Sequence, residues 1–111
     1  MPYVTFQNLD AEVVERFAGA TIAKLADITG APLEAFRFFA GGDRLVDSSG
    51  QPYVLVDISL YPRSSEQMQL IAETLAQAVQ SSDDVATVVD VIFNNIAAPE
   101  YHYRNGQQYK P

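Results

Sequence analysis

The 111-residue chain contains no cysteine, which excludes a disulfide framework, a thiolate metal site and a cysteine nucleophile together. It has one histidine, His102, so neither a second imidazole nor a thiolate is available to complete a zinc site, and no metal is expected. Positive charge is also scarce. Fourteen acidic residues against seven basic ones leave a formal charge of −7, and the cations, Arg16, Lys24, Arg37, Arg44, Arg63, Arg104 and Lys110, form no run. Nucleic acid is therefore not an expected partner, because phosphate-backbone binding needs concentrated positive charge. No apolar run approaches the ~18 residues of a membrane span, and no basic region followed by an apolar stretch opens the chain. The expectation is a cytoplasmic protein that does not engage membranes.

What is present points to a packed core. Apolar residues make up 48% of the chain and charged residues 19%, and the length suits one domain over residues 1–111. The opening "PYVTFQ" places Pro2, Val4 and Phe6 on one face and Tyr3 and Thr5 on the other, the alternation of a strand. A helix follows, with Val14, Phe17, Ala18, Thr21, Ile22, Leu25 and Ile28 at helical spacing, Asn8 or Asp10 as N-cap, and Gly30 and Pro32 as the stop. The aromatic run "LEAFRFFAG" reads as a second strand and "GGDRLVDSSGQP" as a polar loop.

The second half repeats this plan. "YVLVDISLY" alternates Val54, Val56, Ile58 and Leu60 with Tyr53, Leu55, Asp57 and Ser59, the clearest strand pattern in the chain. Ser64 and Gln67 have capping-box spacing, and Met68, Ile71, Ala72, Leu75 and Val79 then form one helical face. "VATVVDVIFN" is a fourth strand, and Asn105-Gly106 turns a C-terminal hairpin. The fold class is α+β: two consecutive β-α-β units make a four-stranded sheet with both helices on one face, plus the hairpin. No residue-level repeat is read between the two units. The uncovered sheet face would carry valines and aromatics, so a second copy of the chain is the default cover.

Several candidate sites are set aside. Gly41-Gly42 and Asn105-Gly106 lack the lysine and strand-to-helix context of a phosphate loop and read as turns. Asp83-Asp84 has no further ligands nearby, and neither Ser48-Ser49 nor Ser64-Ser65 has a partner histidine. Pro2 is different. Methionine before a small residue is normally trimmed, which would leave Pro2 a free secondary amine able to take or give a proton, whereas a retained Met1 makes that nitrogen an amide. The competing structural account is a proline tolerated at a strand start.

A Met-Pro start on the first strand, two β-α-β units in this length and a C-terminal hairpin resemble the tautomerase superfamily, which includes macrophage migration inhibitory factor and 4-oxalocrotonate tautomerase. The stretches "TGAPLEAF", "ISLYPR" and "NNIAAPEYHYRNGQQY" look like those of the inhibitory-factor branch, and the chain as a whole is similar to a bacterial group of short tautomerase-like proteins without an assigned function. The resemblance implies a homotrimer and a cofactor-independent enzyme that moves a proton on a small 2-oxo or unsaturated carboxylic acid by keto-enol exchange. It also admits hydratase and dehalogenase chemistry, in which the protonated proline acts as an acid. Pro2 would be catalytic, and Arg63 would hold the substrate carboxylate through its guanidinium fork. Tyr61, Tyr101 and Tyr103 would wall the pocket. The alternative is a non-catalytic trimeric binding or scaffold protein that keeps the fold. One departure bears on the site. Ala31 stands where inhibitory-factor relatives have a lysine, while Arg63 occupies their hydrophobic position after the third strand.

Overall fold

The computed structural model describes residues 2–42, 44–82, 88–97 and 103–108. Strand β1 (Tyr3–Gln7) leads to helix α1 (Ala11–Thr29), a single 3-10 turn at Leu33–Ala35 and strand β2 (Arg37–Gly41). Strand β3 (Tyr53–Leu60), helix α2 (Ser65–Ser82) and strand β4 (Val88–Asn95) repeat the plan, and the short strands β5 (Tyr103–Arg104) and β6 (Gln107–Gln108) close the hairpin. The sheet order is β2-β1-β3-β4, with β1 parallel to β2, β3 parallel to β4, and β1 antiparallel to β3. This is the mixed sheet of two β-α-β units facing opposite ways.

Strict alternation in β3 fixes which face is buried. Val54, Val56, Ile58 and Leu60 are all at most 2% exposed, and Val4 and Phe6 of β1 join them beneath the helices. Helix α1 contributes Val14 and Leu25 to this core, and α2 contributes Ile71, Leu75 and Val79. Phe6 meets Phe17 and Phe38 edge-on, with ring centroids 5.3 and 5.2 Å apart, a geometry that suits the aromatic quadrupoles. The opposite sheet face leaves Tyr3, Phe39, Val88 and Ile92 exposed. Four large apolar side chains on one face are what an interaction surface looks like.

The helix ends differ from one another. Ser64 Oγ accepts the Gln67 backbone N–H at 3.1 Å, and Gln67 Oε1 accepts the Ser64 N–H at 3.2 Å, so the capping box of α2 forms as its spacing predicts. At α1, Asp10 occupies the N-cap position, but its side chain makes no capping hydrogen bond. Asn8, the other expected cap, does something else. Held at φ 69°, it donates through Nδ2 to the carbonyl of Tyr53 at 2.9 Å and that of Leu45 at 3.4 Å, tying the end of β1 to the loop before β3. Gly30, at φ 74°, ends α1 with its N–H on the Ala26 carbonyl at 2.8 Å.

Two further readings of the sequence are refined. Leu33–Ala35 forms the 3-10 turn, so the second strand begins only at Arg37. Gly41 belongs to the end of β2, where its carbonyl accepts the N–H groups of Asn8 and Leu9 at 3.0 and 3.3 Å, so Gly41-Gly42 is not a free turn. The Asn105-Gly106 turn forms as expected, with φ 54° and 76°, the double positive φ of a two-residue hairpin loop. Asp83-Asp84 falls outside the described residues.

Candidate functional site

Strand directions bring four chain segments to one end of the sheet. Pro2 precedes β1, and its carbonyl accepts the Arg37 N–H at 3.1 Å, which sets the start of β2 beside it. Because Tyr3 lies opposite Ser59, the antiparallel β3 leaves the sheet past Pro2 through Leu60 and Tyr61. The Ile96 N–H reaches the Leu60 carbonyl at 2.8 Å, so the end of β4 lies at the same end. Pro2, Tyr61 and Arg63 therefore share one end of the molecule, although Arg63 and Pro2 are far apart in the sequence.

Arg63 sits in the short link between β3 and α2. Its Nη1 donates to the carbonyls of Tyr61 at 3.3 Å and Pro62 at 3.2 Å, which folds the side chain back over its own loop. Its Nε is buried and has no hydrogen-bond partner among the described residues. A buried donor left unmade costs about 1–3 kcal/mol, and more on a charged group, so this guanidinium has binding capacity that the described residues do not use. Tyr61 is half-buried and packs against the core. The Pro2 ring is fully buried.

The hairpin approaches the same end by another route. Arg104 Nη1 donates to the Glu34 carbonyl at 3.4 Å, and Arg37 Nη1 donates to the same carbonyl at 2.7 Å, which fastens β5 to the turn that introduces β2. Tyr103, on this hairpin, is 59% exposed. Tyr101 and His102 lie outside the described residues. The shared use of the Glu34 carbonyl by two arginines was not legible in the sequence, because a backbone acceptor carries no residue-type signature. Among the described residues, no cluster of three or more histidine, cysteine or acidic side chains is placed to hold a metal ion. Nor is any described helix long and apolar enough to cross a membrane.

Known structures share this architecture. A protein of the DUF1904 class from Sebaldella termitidis superposes with a TM-score of 0.82 at 20% identity, over 98% of this chain and 100% of that one. Macrophage migration inhibitory factor from Toxoplasma gondii gives 0.77 at 14% identity, over 96% and 99%. A fused 4-OT protein, described as a wild-type symmetric trimer, gives 0.63 at 22% identity, over 86% and 84%. The fold is tautomerase-like, shared with macrophage migration inhibitory factor and with the fused 4-OT protein. Within that class, residues 1–108 match the family described as "Domain of unknown function (DUF1904)", and the chain belongs to it. No curated protein matches the sequence.

Proposed function

We propose that the chain is a single tautomerase-like domain over residues 1–111 that acts, without a cofactor, as a keto-enol isomerase on a small 2-oxo or unsaturated carboxylic acid. In this reading, removal of Met1 frees the Pro2 amine to shuttle the proton, Arg63 holds the substrate carboxylate, and Tyr61, Tyr101 and Tyr103 shape the pocket. The observation that carries it is the buried, unpartnered Nε of Arg63 at the sheet end where Pro2 begins β1. A secondary amine must lose its proton to act as a base near pH 7. Apolar burial and a neighbouring guanidinium both favour that loss. A homotrimer and a cytoplasmic location go with the proposal. The trimer is supported by the exposed Tyr3, Phe39, Val88 and Ile92 on the sheet face away from the helices.

One observation favours a second reading, a trimeric binding or scaffold protein whose chemistry has lapsed: the Pro2 ring is fully buried. Phenylpyruvate ketonisation separates the two. Protein whose intact mass shows a Pro2 terminus should be active, and protein retaining Met1 should not. Arg63→Ala should weaken carboxylate substrates by about 2–4 kcal/mol, read as a rise in KM, because a charge-assisted pair is lost. Equal activity from both termini would place the base elsewhere. Inactivity of both with a set of 2-oxo acids would favour the scaffold. Light scattering should give the mass of three chains, and a monomer at micromolar concentration would remove the trimer.

A further inference from the structure

A groove runs between α1 and α2 on the solvent side of the helix layer, away from Pro2 and from the exposed sheet face. Its volume is about 510 Å³, within the range of small-molecule sites. From α1, Arg16, Ala20, Thr21 and Lys24 line it at helical spacing. From α2, Gln77 and Ser81 face them. Ala20 and Ala78, with their short side chains, leave open space in the groove that larger residues would fill. A protein with a formal charge of −7 thus places two of its seven cations along one groove, whose described lining includes no carboxylate.

Thr21 supplies a second, independent observation. It is the one buried polar side chain among the described residues, 4% exposed, and it lines the groove. Thr74 across the groove donates its hydroxyl to the Leu70 carbonyl at 2.7 Å, which leaves Thr21 as the buried hydroxyl-bearing residue of the lining. The same Arg16 also lines an adjoining polar groove of about 590 Å³, where Arg44 adds a third cation and Asp10 an acid. Cationic head groups at the rim, with hydroxyls and an amide between them, match an anion carried on a polyhydroxylated body.

We infer that the α1–α2 groove binds a small phosphorylated sugar, with Arg16 and Lys24 taking the phosphate and Thr21, Gln77 and Ser81 the hydroxyls. The site is independent of the Pro2 chemistry and stays open if a second copy covers the sheet. Titration calorimetry at low salt with ribose 5-phosphate, ribose and inorganic phosphate tests it, together with backbone amide NMR. Ribose 5-phosphate should bind more tightly than either part and shift the amides of Ala20, Thr21 and Ala78. Arg16→Gln with Lys24→Gln should weaken it roughly tenfold or more, as charge-assisted hydrogen bonds are lost. Thr21→Val, which removes the hydroxyl at nearly constant volume, should weaken it several-fold while the fold, read by circular dichroism, is kept. Arg104→Gln, which removes one positive charge elsewhere, should leave binding unchanged. The inference is overturned if ribose 5-phosphate fails to bind, if it binds no better than inorganic phosphate, or if Arg104→Gln weakens it as much as the groove variants do.

Discussion

The two β-α-β units begin with the same tripeptide, Pro-Tyr-Val at residues 2–4 and again at 52–54, and the two prolines end in opposite situations. Phe6 of β1 pairs with Val56 of β3, which are counterparts under this alignment, so the approximate twofold passes through that pair and sends Pro2 and Pro52 to opposite ends of the sheet. Pro2 is fully buried between the start of β2 and the end of β3. Pro52 is exposed and forms an isolated bridge with Val46. Near-symmetry thus supplies one architecture twice, and chain position makes the ends unequal. The Pro2 end is the one that receives Arg63 from the link after β3.

The helices carry the comparison into the core. Leu25 of α1 and Leu75 of α2 are counterparts, and both are fully buried. A carboxylate at either position would lie unpaired in apolar surroundings, so Leu25→Asp and Leu75→Asp should each cost about 4 kcal/mol or more, enough to unfold a marginal domain. Urea denaturation checks this, with the exposed Glu73→Ala expected to stay within about 0.5 kcal/mol of the parent. If one leucine proved dispensable, the two units would not share one core.

The caps give a smaller contrast. Ser64→Ala removes a formed capping box and should cost about 1 kcal/mol. Asp10→Ala removes a side chain that makes no capping hydrogen bond and should cost only a few tenths. Equal losses in urea denaturation would mean that Asp10 stabilises α1 chiefly by its charge near the helix N-terminus.

The smallest effect lies in the loop between the units. The Asp47 carboxylate accepts hydrogen bonds from the Ser49 hydroxyl at 2.7 Å and from the Gln51 N–H at 3.0 Å, and these, the Ser49 bond foremost, hold its pKa below the ordinary 3.8. A carboxyl held low in the folded state contributes stability above pH 3.8 that is lost as pH falls through its folded value. Stability followed from pH 5 downward should show a slight acid-side loss that Ser49→Ala reduces.

The sequence made the elements legible wherever one physical signal dominated. The alternation of β3, the capping box of α2 and the Asn-Gly hairpin turn all appear where their patterns put them, because each rests on local geometry. The start of β2 was read early, since an aromatic run does not distinguish a 3-10 turn from a strand. Asn8 and Asp10 both suit a helix cap by type; Asp10 takes the N-cap position, whereas Asn8 bonds at long range to the Tyr53 carbonyl. The Pro-Tyr-Val repeat is too short to signal symmetry until the sheet register aligns its two copies. Of the candidate site, Pro2, Tyr61 and Arg63 share one sheet end, but the unpartnered Nε of Arg63 is a fact of packing that no spacing encodes.

The central claim, that the Pro2 end of the sheet is the reactive one, is tested most directly by a matched pair of substitutions in protein processed to residue 2. The measurement is kcat/KM for phenylpyruvate ketonisation in Pro2→Ala and Pro52→Ala, each with the parent's mass in solution by light scattering. Pro2→Ala should lose roughly a hundredfold or more, the scale of a removed general acid–base group, while Pro52→Ala should match the parent. Equal activity in all three proteins, or a loss confined to Pro52→Ala, would contradict the assignment.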